Sequence, residues 1–198
     1  MRGLWLIDGA YLYKSGRRFQ HEHPEYATMG IDYKKLKDRL RSEYGIDDLD
    51  TWYFNATPNP VEDGRNGFYS WLKSTEPKGP NMRVKLYALK DKHVYCRACN
   101  EHFSIKVQKG VDVGLATTAL RLYPRYDVII LSAGDGDFED FIRYLVEEQD
   151  KKLYIAGFDR SISPDLQQYS TNNFLLNEHY EEICDSRNYS EEILEEEL

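Results

Sequence analysis

The chain has few cysteines, no long apolar run and no surplus of positive charge, and each shortage removes a class of protein. Three cysteines among 198 residues are too few for a disulfide framework, so a reducing compartment is expected. No apolar stretch approaches the roughly 18 residues that a membrane-spanning helix needs, and mean hydropathy is -0.69. No membrane partner is therefore expected. The opening residues, Met1-Arg2-Gly3-Leu4-Trp5-Leu6-Ile7-Asp8, lack the long apolar region and small-residue cleavage site of a secretory signal. These readings predict a cytoplasmic protein.

The acid surplus is local. Net charge is -8, and Glu178–Leu198 carries nine acids against one arginine, which accounts for all of it. Residues 1–177 hold 25 acids and 25 bases and read as one domain. Residues 178–198 read as an acidic C-terminal tail, either a solvated segment or a mimic of nucleic acid lying over a basic surface. A neutral body does not oppose nucleic-acid binding, because local basic patches matter more than the sum.

What the sequence does contain centres on Asp127-Val128-Ile129-Ile130-Leu131-Ser132-Ala133-Gly134-Asp135-Gly136-Asp137-Phe138. Its first half is the branched apolar run of a buried strand. Glycines and aspartates then break it, and a helical pattern resumes at Phe138, Phe141, Ile142 and Leu145. This places two carboxylates at the carboxyl end of a strand, where open α/β sheets bind ligands.

Similar signals run along the chain. Gly3 to Ile7 reads as a first strand, ending at Asp8-Gly9. Lys14 to His23 reads as a polar loop carrying Arg17 and Arg18. Asp32 predicts the N-cap of a helix through Leu36 and Leu40. The outer face of that helix holds Lys34, Lys35, Lys37, Arg39 and Arg41, which suits either solvation or phosphate contact. Further strands are expected at Asp50–Asn55, Met82–Leu89, Leu153–Gly157 and Phe174–Leu176. Helices are expected through Phe68, Trp71 and Leu72 and over Asp112–Leu122. Strands alternating with helices predict a doubly wound α/β fold with a mainly parallel sheet. In the order 3-2-1-4-5, Asp8 and the Asp135/Asp137 pair flank the switch-point crevice, and Asp112 approaches it. Four carboxylates there suit Mg²⁺ or Mn²⁺. Capping is the competing reading for each aspartate taken singly.

A small β-hairpin insertion is expected over residues 91–107, with Cys96 and Cys99 at its tip. With His93 and His102 these are ligand types for zinc, although a zinc site usually draws its second pair from a separate segment. Plain exposed thiols, or a knuckle shared around one zinc with a second copy in a homodimer, are the other readings.

Three pieces, Leu6-Ile7-Asp8-Gly9, Lys109-Gly110-Val111-Asp112-Val113 and Gly134-Asp135-Gly136-Asp137-Phe138, occur in an order and spacing that resemble the NYN family. That family is the LabA-like branch of the PIN-domain-like superfamily, and the resemblance spans roughly residues 3–176, the cysteine hairpin included. It implies a PIN-like fold and a metal-dependent ribonuclease acting on RNA, with Asp8, Asp112, Asp135 and Asp137 as catalytic metal ligands. Lys109, Arg17 and Arg18 would then hold substrate backbone, and Tyr11 would stack a base. The chain departs from the family pattern at three places: Tyr11 replaces an asparagine, Thr118 an aspartate and Ala133 a serine. These departures motivate a second reading, a domain that binds RNA, a nucleotide or a protein partner without cleavage. A carboxylate–metal site would also suit a phosphatase or a DNA nuclease.

Overall fold

Strand β1 (Arg2–Asp8) runs through the middle of the molecule, and its alternation decides which layer each neighbour joins. Trp5 and Ile7 point into one core and Leu4 and Leu6 into the other, and none of the four retains solvent exposure. A strand buried on both faces needs apolar residues at every position, hence the unbroken run. Burial of each such side chain contributes about 1.5–3 kcal/mol. The computed structural model describes residues 1–61 and 63–186.

The elements follow in chain order as α1 (Gly9–Glu22), β2 (Gly30–Ile31), α2 (Tyr33–Tyr44), β3 (Asp48–Thr57), α3 (Asp63–Lys73), β4 (Arg83–Ala88), β5 (Lys90–Tyr95) and β6 (His102–Val107). Then come α4 (Val111–Leu122), β7 (Val128–Ser132), α5 (Glu139–Arg143), β8 (Lys152–Gly157), α6 (Pro164–Gln167), β9 (Asn172–Leu175), α7 (Tyr180–Ile183) and β10 (Cys184–Asp185). The main sheet has the order β4-β3-β1-β7-β8-β9 and every pairing within it is parallel. Counting only its own strands, that is 3-2-1-4-5-6. The doubly wound expectation holds, and the direction of winding reverses between β1 and β7.

Helices cover both faces. Leu12, Leu36, Leu40, Phe68, Leu72 and Tyr180 bring α1, α2, α3 and α7 into the core shared with Trp5. Leu115, Ala119, Phe141, Ile142 and Leu166 bring α4, α5 and α6 into the core shared with Leu6. β5 and β6 pair only with each other, as the antiparallel hairpin expected over 91–107.

Two expectations are corrected. Lys14–His23 is not a loop: it lies almost wholly within α1, whose Leu12, Gly16 and Gln20 are buried. Phe19 packs on Phe158 and Tyr180, with ring centroids 5.7 and 4.8 Å away. The tail does not begin at 178. Tyr180, Ile183 and Cys184 are buried, and β10 pairs with β2 through Cys184↔Ile31 and Asp185↔Gly30. The rest of the acidic segment, from 187 onwards, lies outside the described residues.

Candidate active site

Asp8 is the last residue of β1 and the N-cap of α1, its Oδ1 accepting from the Tyr11 amide at 3.1 Å. By alternation it shares the face of Leu4 and Leu6, the layer to which α4 belongs. The next residue must be glycine, since a Cβ on Gly9 would stand 2.3 Å from the Tyr53 hydroxyl oxygen.

α4 presents the second carboxylate. Gly110, with φ 88°, is its N-cap, a left-handed conformation that glycine adopts without strain. Asp112 therefore lies in the first turn without capping it, and its side chain is exposed. The same helix packs against Tyr87, whose hydroxyl would lie 1.6 Å from a Cβ at Gly114.

The third arm leaves β7 through the buried Ser132 and Ala133. Ser132 Oγ accepts from the indole of Trp5 at 2.9 Å, so this serine is held inside the sheet and faces away from the crevice. Gly134 is boxed in: a Cβ there would meet the Ser161 carbonyl oxygen at 2.1 Å and the Tyr11 ring at 2.4 Å. Asp135 caps a short 3₁₀ turn, Gly136–Phe138, by accepting from the Asp137 amide at 3.0 Å. Phe138 is buried and anchors the turn, leaving Asp135 and Asp137 exposed at the mouth of the crevice.

The carboxylates act along a chain, Asp112 on Asp8 and Asp135 and Asp137 on Asp112. Burial pushes the Asp8 carboxyl up to about 6, and the negative charge of Asp112 adds to the shift. The amides of Tyr11 and Ala10 and the ammonium of Lys14 oppose it. Burial also raises the pKa of Asp112, with Asp135 and Asp137 contributing next. Negative charge thus accumulates against the opposing ammonium of Lys14, and carboxylate oxygens are the donors that hard divalent cations take. The set fits Mg²⁺ or Mn²⁺ in donor type and charge. It is not a finished cage, because among the described residues no group of three or more His, Cys, Asp or Glu stands ready to hold a metal ion.

The remaining expected residues separate. Lys109 is exposed immediately before Gly110. Tyr11 does not offer its ring for base stacking: it packs inward against Gly134, and its hydroxyl lies 2.8 Å from that of Ser161. Burial pushes the Tyr11 phenol up to about 12. Arg17 and Arg18 lie further along α1, turned to Gln20 at 3.4 Å and Glu22 at 3.5 Å. Lys14, one turn into α1, is the cation whose field reaches Asp8. Reading its segment as a loop concealed it; spacing from Leu12 through Gly16 to Gln20 is the signal that could have found it. Thr118 is buried and donates to the Gly114 carbonyl at 2.7 Å. A pocket of about 210 Å³ opens beyond Tyr11, between Arg18 and Phe19 on α1, His23 just after it, and Asp159, Arg160 and Ser161 after β8.

The zinc tetrad does not assemble. Cys96 and Cys99 sit together in the turn, where the amides of Cys99 and Ala98 and the neighbouring Cys99 side chain lower the Cys96 thiol pKa. His93 is drawn down the ribbon to its cross-strand partner Ser104, with Nδ1 and Oγ 2.7 Å apart. His102 stacks on Tyr95 at 4.9 Å. The strand register thus gives each histidine another neighbour.

Comparison with known proteins agrees with this architecture. A family model described as NYN domain matches residues 4–177. No curated protein matches. Among solved structures, a protein of unknown function from Vibrio parahaemolyticus RIMD 2210633 superposes with a TM-score of 0.57. The two share 18% identity over 88% of this chain and 93% of that one, a likeness of fold alone. A Sir2 complex has a TM-score of 0.40 at 12% identity, covering 91% of this chain and 90% of that one; a likeness so distant carries no argument.

Proposed function

Because the chain belongs to the NYN domain family, a family of nuclease-like proteins acting on RNA, we propose that it is a divalent-metal-dependent ribonuclease. The observation that carries the reading is the gathering of carboxylates at the sheet's carboxyl end, where Asp8 is pushed up to about 6 by burial and, to a lesser degree, by Asp112. Carboxyls whose proton affinity is raised by burial and by a neighbouring carboxylate mark functional sites, and this set lies at the switch point of a doubly wound sheet.

Asp8, Asp112, Asp135 and Asp137 would hold Mg²⁺ or Mn²⁺. Such a cation, when bound, polarises a phosphodiester and lowers the pKa of an attacking water. The chain's own groups do the rest. Capping bonds fix the Asp8 and Asp135 side chains to α1 and the 3₁₀ turn, so their orientation is set before substrate arrives. Lys14 and Lys109 supply positive charge beside the crevice for a phosphate. Tyr11, bonded to Ser161, closes the floor behind Gly134. No helix among the described residues is long and apolar enough to cross a membrane, consistent with a dissolved nucleic-acid substrate.

The second reading, binding without cleavage, draws support from Thr118, a buried hydroxyl bonded inside α4 where the family carries a carboxylate. With His93 and His102 engaged elsewhere, zinc at the Cys96/Cys99 turn would need a second copy to complete its ligands. The test is cleavage of labelled single-stranded and structured RNA in Mn²⁺ by the wild type and by Asp135→Asn. The ribonuclease reading expects cleavage that Asp135→Asn abolishes. Binding with no turnover by either protein would establish the second reading, and equal cleavage by both would remove the support.

A further inference from the structure

The basic surface that sequence alone makes most visible, on α2, is spent internally. Lys34 pairs with Asp38 at 2.9 Å, Lys35 with the Cys184 carbonyl at 2.9 Å and Lys37 with the Pro80 carbonyl at 2.8 Å. Arg39 meets Glu43 at 2.7 Å, and Arg41 donates to the Asp47 carbonyl at 2.8 Å. The β5–β6 ribbon differs. Residues 83–109 carry seven Lys and Arg against two acids, a local charge of +5 in a body that is otherwise neutral or acidic. Nearly all of residues 90–106 are exposed, Val94 and Cys96 being the partly buried exceptions.

The two faces of the ribbon are unlike. On one, Lys106 meets Asp91 at 2.9 Å, His93 meets Ser104 at 2.7 Å and Tyr95 stacks on His102, so its polar groups satisfy one another. The register places Lys90, Lys92, Val94, Phe103 and Ile105 on the other face. Phe103 and Ile105 there are 47% and 40% exposed, two large apolar side chains side by side on a face that nothing among the described residues covers. Among the described residues, the side chains of Lys90, Lys92, Arg97 and Lys109 make no hydrogen bond or ion pair. The ribbon is also continuous with the candidate site, since β6 leads through Lys109 and Gly110 into the turn that holds Asp112.

We propose that the Lys90/Lys92/Phe103/Ile105 face of this ribbon is a binding arm for single-stranded RNA, feeding the strand towards Asp112. The inference rests on the ribonuclease reading and deepens it by naming where substrate outside the cleft is held. An exposed ring gives a platform for an unpaired base, flanking lysines take adjacent phosphates, and duplexed bases present no such face. The ribbon spans roughly 17 Å at the rise of a β-strand. Its net positive charge disfavours a second copy's ribbon as the occupant and favours a polyanion.

The experiment is fluorescence anisotropy of a labelled single-stranded RNA oligonucleotide with the full chain carrying Asp135→Asn, which prevents turnover. The same chain is compared with Phe103→Ala or with Lys90→Ala/Lys92→Ala added, each checked for an unchanged unfolding midpoint. Phe103→Ala is expected to weaken binding by about fivefold or more. The double lysine variant is expected to lower the slope of log affinity against log salt by about 1.4. Ribbon variants that bind as tightly as the parent would overturn the arm and leave the ribonuclease reading standing. Failure of the parent itself to bind RNA at low salt would overturn both. Unchanged affinity with loss of a dimer in sedimentation would assign the face to a second copy instead.

Discussion

The hydroxyls of Tyr11 and Ser161 lie 2.8 Å apart, tying the first turn of α1 to the loop after β8 directly beneath Gly134. The tyrosine therefore acts as a brace for two of the three arms of the candidate site. Tyr11→Phe removes one hydrogen bond and should lower stability by about 1 kcal/mol. Tyr11→Asn, the residue the family usually has here, also empties the volume of a ring and should cost about 3–5 kcal/mol, as ring truncations in cores do. Denaturant unfolding of the two variants separates these outcomes, and equal losses would deny the brace.

The Asp8 carboxyl gives the protein a defined pH dependence. Its pKa rises from 3.8 to about 6 on folding, so between those values the folded state binds more protons than the unfolded chain. Protonated Asp8 is the form that folding favours. This contribution is fully present below the unfolded pKa and is lost as pH rises through the folded one, a change of about 3 kcal/mol at most. Asp8→Asn keeps a capping acceptor and removes the titration. Its stability difference from the wild type should therefore grow in its favour from about pH 4 to pH 7, while cleavage is lost. A pH-independent difference would contradict the buried, repelled carboxyl.

Gly114 and Tyr87 form a coupled pair. The Tyr87 hydroxyl is buried without a hydrogen-bond partner, and a Cβ at Gly114 would run into it at 1.6 Å. Gly114→Ala should destabilise by about 1–3 kcal/mol through overpacking. Tyr87→Phe should be close to neutral, since it removes an unsatisfied polar group. The double variant should recover only part of the loss, since the ring carbon Cζ would still stand 2.6 Å from the new Cβ, and a double-mutant cycle by thermal unfolding measures the coupling.

Divalent metal should stabilise the folded chain by mass action. At a Mn²⁺ concentration about a hundred times the dissociation constant the gain is about 2.7 kcal/mol, seen as a raised unfolding midpoint. Asp112→Asn and Asp135→Asn should each abolish most of this shift without lowering the metal-free midpoint, because Asp112 and Asp135 are exposed and repel in the absence of a cation. An undiminished shift in both variants would place the metal elsewhere.

Much of this molecule was legible along the chain because the determining rules are local. Alternation and branched apolar runs mark strands wherever they occur, and glycine after aspartate at a strand end marks a turn. The positions of the main strands, the helix capped by Asp32, the ribbon and the three aspartate-bearing arms all follow from such signals, whereas the sheet order came from the general rule for alternating strands and helices. The polar stretch Lys14–His23 did not announce its helix, because propensity there is weak. Contacts from Phe19 to Phe158 and Tyr180, remote in sequence, supply the stability that local preference lacks.

By itself, then, the sequence determined the order of the elements and which aspartates end up at strand and helix termini, since pattern and turn chemistry act between near neighbours. Only the tertiary structure decided what those groups face. Packing turned Tyr11 inward onto Gly134, engaged Lys35 and Lys37 of α2 with carbonyls of distant segments and separated the histidines from the cysteine turn. It left Lys90 and Lys92 on an uncovered face. Distance through space, which sets burial and repulsion, is the quantity that linear order does not carry, and it raised Asp8 beside Asp112.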